Sequence, residues 1–262
     1  QTFEAATDHA VPIYGLYADT DNEVVLSTGD GEEKTVTIQT DKLEFDPGDI
    51  EMTVSQEDAY QYDKLTFVSC AAGGIYALDS EGEIRWYRNG LGLPLKKLEN
   101  GHLMYCADTL LSGSYYKSGL VETDLLGKVY NEYIIPGGMH HDFYEMSNGN
   151  LLVASDAQDF SSVEDYIVEV DRKTGEVVWE LDMKDLIDSK NGGSMNRSDE
   201  DWFHNNGVWY IEETDTILLS ARHVDAVVGV NKTEKKLSFI LGDPEGWTDM
   251  DESLFFTPVG DD

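Results

Sequence analysis

At 262 residues, with 40% hydrophobic and 11% aromatic side chains, the chain can bury a substantial core and is not a disordered acidic tail. Its 52 acidic against 18 basic residues give a net charge of -34, a field that repels phosphate backbones and argues against nucleic-acid binding. No apolar run approaches the roughly 18 residues of a membrane-spanning helix.

Residues 1–59 read as a small β domain. Val24-Val25-Leu26 and Thr35-Val36-Thr37-Ile38 flank the turn Thr28-Gly29-Asp30-Gly31, and Lys42–Phe45 and Ile50–Val54 suggest a second pair around Pro47-Gly48. The polar stretch Ser55–Asp58 is the expected boundary. The chain opens at Gln1 rather than a methionine, so a processed or excised chain is expected. Cys70 and Cys106 both end apolar runs and are expected as buried thiols rather than a disulfide framework.

From residue 60 to 262 the chain repeats. Asp79-Ser-Glu-Gly82 is echoed by Asp124-Leu-Leu-Gly127, by Asp171-Arg-Lys-Thr-Gly175 and, more weakly, by Asn231-Lys-Thr-Glu-Lys235, at spacings of 45, 47 and 60 residues. A second turn interleaves with the first: Asn100-Gly101, Asn148-Gly149 and Thr214-Asp215, each leading into an apolar strand. Two hairpins per period make a four-stranded sheet, and sheets repeating at that period are β-propeller blades, of which about four are present. The long third interval holds a predicted short helix over 182–188 and a Gly/Ser/Asn-rich loop over 190–198.

The chemistry concentrates in two places. Asp201-Trp-Phe-His204-Asn-Asn206 sets an imidazole and two amides before a strand, and Ser220-Ala-Arg222-His223 follows on the next strand. Met139-His140-His141-Asp142 adds two more imidazoles. His141 and His204 each enter the first strand of a blade, so the repeat predicts that they converge on the central channel. Imidazoles, an amide and a guanidinium suit an oxyanion such as sulfate, phosphate or carboxylate. Taken singly, His204 as a strand cap and Arg222 as one partner of many carboxylates remain open. Metal binding is disfavoured, because His140 and His141 are adjacent rather than alternate, no cysteine joins them and an arginine stands nearby. No cofactor is expected, and the acidic loop 243–251 matches no complete calcium loop.

These motifs, together with Val11-Pro-Ile-Tyr-Gly-Leu-Tyr17, Ile84-Arg-Trp-Tyr87 and Ile240-Leu-Gly-Asp-Pro244, resemble the bacterial arylsulfate sulfotransferases. The resemblance runs through nearly the whole chain and is most specific at residues 201–206 and 220–223. It implies an all-β protein, a small N-terminal β-sandwich followed by a propeller of about six blades. The implied reaction is transfer of a sulfuryl group from an aryl sulfate to a phenol, ping-pong, through a sulfated histidine. His141, His204 and Arg222 are the implied catalytic groups, with His140, Asn206 and His223 around the substrate; Asp142 is expected to fix the tautomer of His141. The nucleophilic histidine is expected beyond the Leu254–Val259 segment, outside this chain. An incomplete propeller exposes sheet edges, so a complementing segment or a second copy is an expected partner. The resemblance also implies an extracytoplasmic location. The rival reading is a non-catalytic propeller module that binds an anionic or aromatic ligand.

Overall fold

The structure, a computed structural model, describes residues 4, 6–53, 61, 64–70, 74–90, 93–111, 116–159, 161–193 and 197–256. Apart from four short 3-10 turns, every regular element among these residues is a β-strand, so the fold is all-β. Two compact units divide the chain, Gln1–Gly92 and Leu93–Asp262. The boundary expected at Ser55–Asp58 lies outside the described residues.

The first unit holds a hairpin, β1 (Asp21–Ser27) and β2 (Glu33–Gln39), and a three-stranded meander, β3 (Thr66–Cys70), β4 (Gly74–Leu78) and β5 (Ile84–Arg88). The second strand pair expected over 42–54 does not form. Leu43, Phe45, Ile50 and Met52 instead pack as irregular chain onto Tyr76, Leu78 and Ile84 of the meander. Apolar burial explains their spacing without a hydrogen-bonded ladder.

The second unit is built of three successive four-stranded, propeller-like meanders. Strands β6 (Leu95–Lys97), β7 (Leu103–Cys106), β8 (Lys117–Thr123) and the first part of β9 (Val129–Glu145) form one blade. The end of β9, with β10 (Leu151–Ser155), β11 (Tyr166–Val170) and β12 (Val177–Asp182), forms the next. Strands β13 (Asn205–Ile211), β14 (Thr216–Ala221), β15 (Ala226–Asn231) and β16 (Lys236–Gly242) form the third. The 17 residues of β9 are therefore the outer strand of one blade and the inner strand of the next, bending at Pro136-Gly137-Gly138.

The repeated turns have one mechanism. Asp79 Oδ1 accepts from the amides of Glu81 and Glu83, Asp124 Oδ1 from those of Leu126 and Lys128, and Asp171 Oδ1 from those of Lys173 and Thr174. In the weakest copy Asn231 Oδ1 accepts from Glu234, and Lys235 takes the left-handed position that glycine fills in the others.

Alternation along the middle blade gives it two buried faces. Leu151 and Val153 of β10 join Met104, Leu120 and Tyr133 in one core, while Leu152 and Ala154 join Val208, Ile217, Leu219 and Val228 in the other. Burying each Leu, Ile or Val contributes about 1.5–3 kcal/mol. This double burial explains why these strands read as continuous apolar runs. Cys106 is buried in the first of these cores, as expected; the side chain of Cys70 lies outside those described.

Polar contacts at equivalent positions clasp neighbouring blades. Glu122 on β8, only 2% exposed, accepts from Asn100 and Asn131 and meets Arg172 of the next blade at 2.8 Å. Glu169 on β11 accepts from Asn150 and meets Lys232 of the third blade at 2.6 Å. His102, in the turn, lies 2.7 Å from Glu122 and stacks on Tyr130, a structural role.

Candidate active site

The long third interval supplies the wall of the site. In place of the expected helix over 182–188 there is a 3-10 turn, Met183–Asp185, capped by the Asp182 carboxylate. Residues 194–196 of the following loop lie outside the described chain. Trp202 and Phe203 then bury fully and pin the loop to the core, with the indole N–H donating to Asp165 at 2.7 Å. That anchor delivers His204 to the start of β13.

Each predicted residue has a definite place. His141 and His204 both adopt left-handed backbone, at φ 47° and 55°, and their rings stand 5.4 Å apart, as the repeat predicts. The His141 side chain is 40% exposed, whereas His140 is buried. Three residues, His140–Asp142, stand opposite Ala154 in the ladder with β10, and this bulge turns the two imidazoles to different surroundings. A second bulge between Asn205 and Gly207 takes Asn206 out of register with β14 and leaves it exposed. Arg222, exposed at the end of β14, donates its main-chain N–H to His204 O and places Nη1 3.4 Å from His204 Nε2. His223 is buried, donates from Nδ1 to Asp201 O at 2.7 Å and lies 4.5 Å, ring to ring, from His204. All six predicted residues thus belong to one neighbourhood.

Asp142 does not hold His141. Its carboxylate meets Lys96 at 2.7 Å and accepts the Val208 amide at 3.0 Å, stapling the inner strands of adjacent blades. The bulge sends this carboxylate away from the imidazole it follows.

Glu164 is the carboxylate beside His141 instead. Its Oε2 lies 3.4 Å from His141 Nε2 and 2.9 Å from His204 Nδ1, while both Asp201 oxygens lie 3.0 Å from the same Nδ1. The Glu164 amide donates to Asp156 Oδ1, and Tyr116 donates to its other oxygen. None of Glu164, Asp156 or Tyr116 was singled out from the sequence. With 52 acidic residues, nothing local marks the few that are buried.

Burial and charge set the protonation pattern. Burial pushes Asp156 up to about 7 and raises Asp165. For Glu164 burial works upward, but the surrounding imidazoles outweigh it and hold the carboxyl below its ordinary range. The Glu164 contact raises His141, while burial lowers His140 to about 4. His140 is therefore neutral at pH 7, with Nε2–H donating to Ser155 O at 3.1 Å and Nδ1 left as a buried acceptor.

His140 should consequently mark acid sensitivity. Its folded value lies below the ordinary 6.5, so the unfolded chain takes up the proton first. Stability is present above pH 6.5 and lost as pH falls towards about 4, by up to about 3 kcal/mol. Asp156, raised to about 7, works oppositely: its contribution is present at low pH and lost as pH rises through that value. Comparing denaturant midpoints of the wild type and His140→Gln from pH 7 to 4 isolates the first effect, and the variant should show the shallower acid loss.

Two triads place ligand atoms within 4.8 Å of one another: His140, His141 and Glu164, and Asp201, His204 and His223. The Arg222 guanidinium beside His204 opposes a cation at the second and favours an anion.

The arylsulfotransferase (ASST) family model matches residues 51–262, which include this whole wall. The chain belongs to the arylsulfotransferase family. Arylsulfate sulfotransferase AssT of Escherichia coli O6:H1 (strain CFT073) is 24% identical over 241 residues, covering 70% of this chain and 39% of that protein. This arylsulfotransferase family member thus spans about two fifths of the length of that curated relative. Among solved structures, the dihydro-heme d1 dehydrogenase NirN in complex with DHE aligns with a TM-score of 0.40 at 10% identity, over 70% of this chain and 36% of that one. That likeness carries no argument here.

Proposed function

We propose that this chain supplies the sulfuryl-binding wall of an arylsulfate sulfotransferase that moves a sulfuryl group from an aryl sulfate to a phenolic acceptor. The observation that carries the reading is the meeting of His141, from one blade, with His204 and Arg222, from the next, on a protein of net charge -34. An anion bound against so negative a mean field needs local donors, and His204, Asn206 and Arg222 provide them for the sulfuryl oxygens.

In the ping-pong sequence, the aryl S–O bond breaks as an S–N bond forms to a histidine, and the phenolate leaves. The S–N bond then breaks as the acceptor phenol forms its S–O bond and loses its proton. In this reading none of His140, His141, His204 and His223 is the nucleophile. His141, whose proton is held more tightly beside the Glu164 carboxylate, is the group that can donate to the departing phenolate. The setting is extracytoplasmic, and the partners are small aryl sulfates and phenols.

The test is to incubate the longest native polypeptide carrying this sequence with 4-nitrophenyl sulfate, with and without phenol, and analyse the intact protein by mass spectrometry. A histidine-linked sulfuryl group that disappears when phenol is added is the expected result. Reversible binding with no transfer would instead make the protein a binding module.

A further inference from the structure

Glu164 sits where no feature of the sequence placed a functional group. Its carboxylate is 8% exposed and lies between two imidazoles on different blades, 2.9 Å from His204 Nδ1 and 3.4 Å from His141 Nε2. The main chain enforces this placement, because Glu164 O accepts the Asn205 amide at 3.0 Å, beside His204 itself. Glu164 adopts left-handed backbone at φ 58°, as do His141 and His204. A non-glycine residue in that region is strained and persists where the surroundings hold it.

We propose that Glu164 is a positioning residue for sulfuryl transfer, fixing the ring orientation and proton placement of His141 and His204 through one buried carboxylate. The inference rests on the sulfotransferase reading above. A proton on His204 Nδ1, which donates to Asp201 and lies 2.9 Å from the Glu164 carboxylate, leaves Nε2 facing Arg222. The Glu164 charge, 3.4 Å from His141 Nε2, favours a proton on that nitrogen. Among the described residues, the other charged and titratable groups facing these rings are Arg222, Asp201, His140, Asp156, His223 and the Tyr116 hydroxyl, and Glu164 is the carboxylate in contact with both imidazoles. Asp201 approaches His204 and His223 from the loop side and is 30% exposed.

Glu164→Gln keeps the shape and one acceptor oxygen but removes the charge. It is expected to lower kcat with an aryl sulfate by about 10–100-fold while KM changes by less than about threefold, the pattern of an interaction needed in the transition state. The alkaline limb of the kcat profile, where His141 loses its proton, should move to lower pH, and ring-nitrogen NMR should show His141 titrating at lower pH than in the wild type. Glu164→Asp, which keeps the charge at shorter reach, should recover part of kcat. Wild-type kcat and an unmoved His141 titration in a folded Glu164→Gln variant would overturn the inference. A wild type unable to turn over aryl sulfate, with the His141 titration still moved by Glu164→Gln, would overturn the sulfotransferase reading and the transfer role, and leave only the carboxylate–imidazole coupling.

Discussion

Arg222→Ala is expected to lower kcat/KM for an aryl sulfate by about 10²-fold or more, with almost no change in stability. The guanidinium is exposed, so its removal opens no cavity, and such surface changes usually stay within about 0.5 kcal/mol. In the proposed site it loses a forked donor to the sulfuryl oxygens, and a donor of that kind is typically worth 10²–10³ in rate. His204→Ala should have a similar effect, because the two side chains are adjacent through Nη1 and Nε2 and their main chains are joined by the Arg222 amide and His204 carbonyl. Arg222→Lys should recover only part of the loss, since an ammonium keeps the charge but not the planar fork. Steady-state kinetics beside thermal melts check all three, and parent-like transfer by both alanine variants would sink the site assignment.

The largest stability effect should come from the clasp between blades. Arg172 reaches Glu122 at 2.8 Å and Glu145 at 2.5 Å, and its side chain is only 17% exposed. Arg172→Ala leaves the Glu122 carboxylate buried without its cation, a change that costs roughly 3–5 kcal/mol. Lys236→Ala is the control: its pair with Glu234 is 72% and 63% exposed and should be worth almost nothing. Burial pushes the Glu122 carboxyl up, but Arg172, Asn100, His102 and Asn131 outweigh it and hold it at about 2. A depressed carboxyl stabilises the fold above its ordinary 4.5, and that contribution is lost as pH falls towards about 2. Wild type and Arg172→Ala should therefore converge in stability at strongly acidic pH. Urea titrations at pH 7 and pH 3 measure both the gap and its closing.

The blades were legible because they rest on local, repeated chemistry. An Asp at a turn whose carboxylate caps two amides leaves the same trace each time, as at Asp79, Asp124 and Asp171. The pairing of His141 with His204 was legible for the same reason, through equivalent positions before equivalent turns. What was not legible depends on departures from regularity. The bulge at His140–Asp142 turns Asp142 towards Lys96 and Val208, whereas a simple adjacency argument assigns it to His141. The strands expected over 42–54 had the alternation of a β-pair but use it to cover a neighbouring sheet. Glu164 and Asp156 gain their significance from burial alone, which a sequence so rich in carboxylates does not announce.

The long strand β9 has a consequence for how the molecule breathes. Because one unbroken stretch of 17 residues belongs to two blades, its amides cannot be released from one blade while the other stays shut without tearing the strand at Pro136-Gly137-Gly138. The two blades should form a single foldon, with amides of β8 and β10 exchanging with solvent at matched rates. The third blade begins afresh at Asn205 and is tied to the second by side-chain contacts rather than by a shared strand. His141 then belongs to the strand that two blades share and His204 to the entry of the next, so the two imidazoles meet across a seam that no shared strand closes.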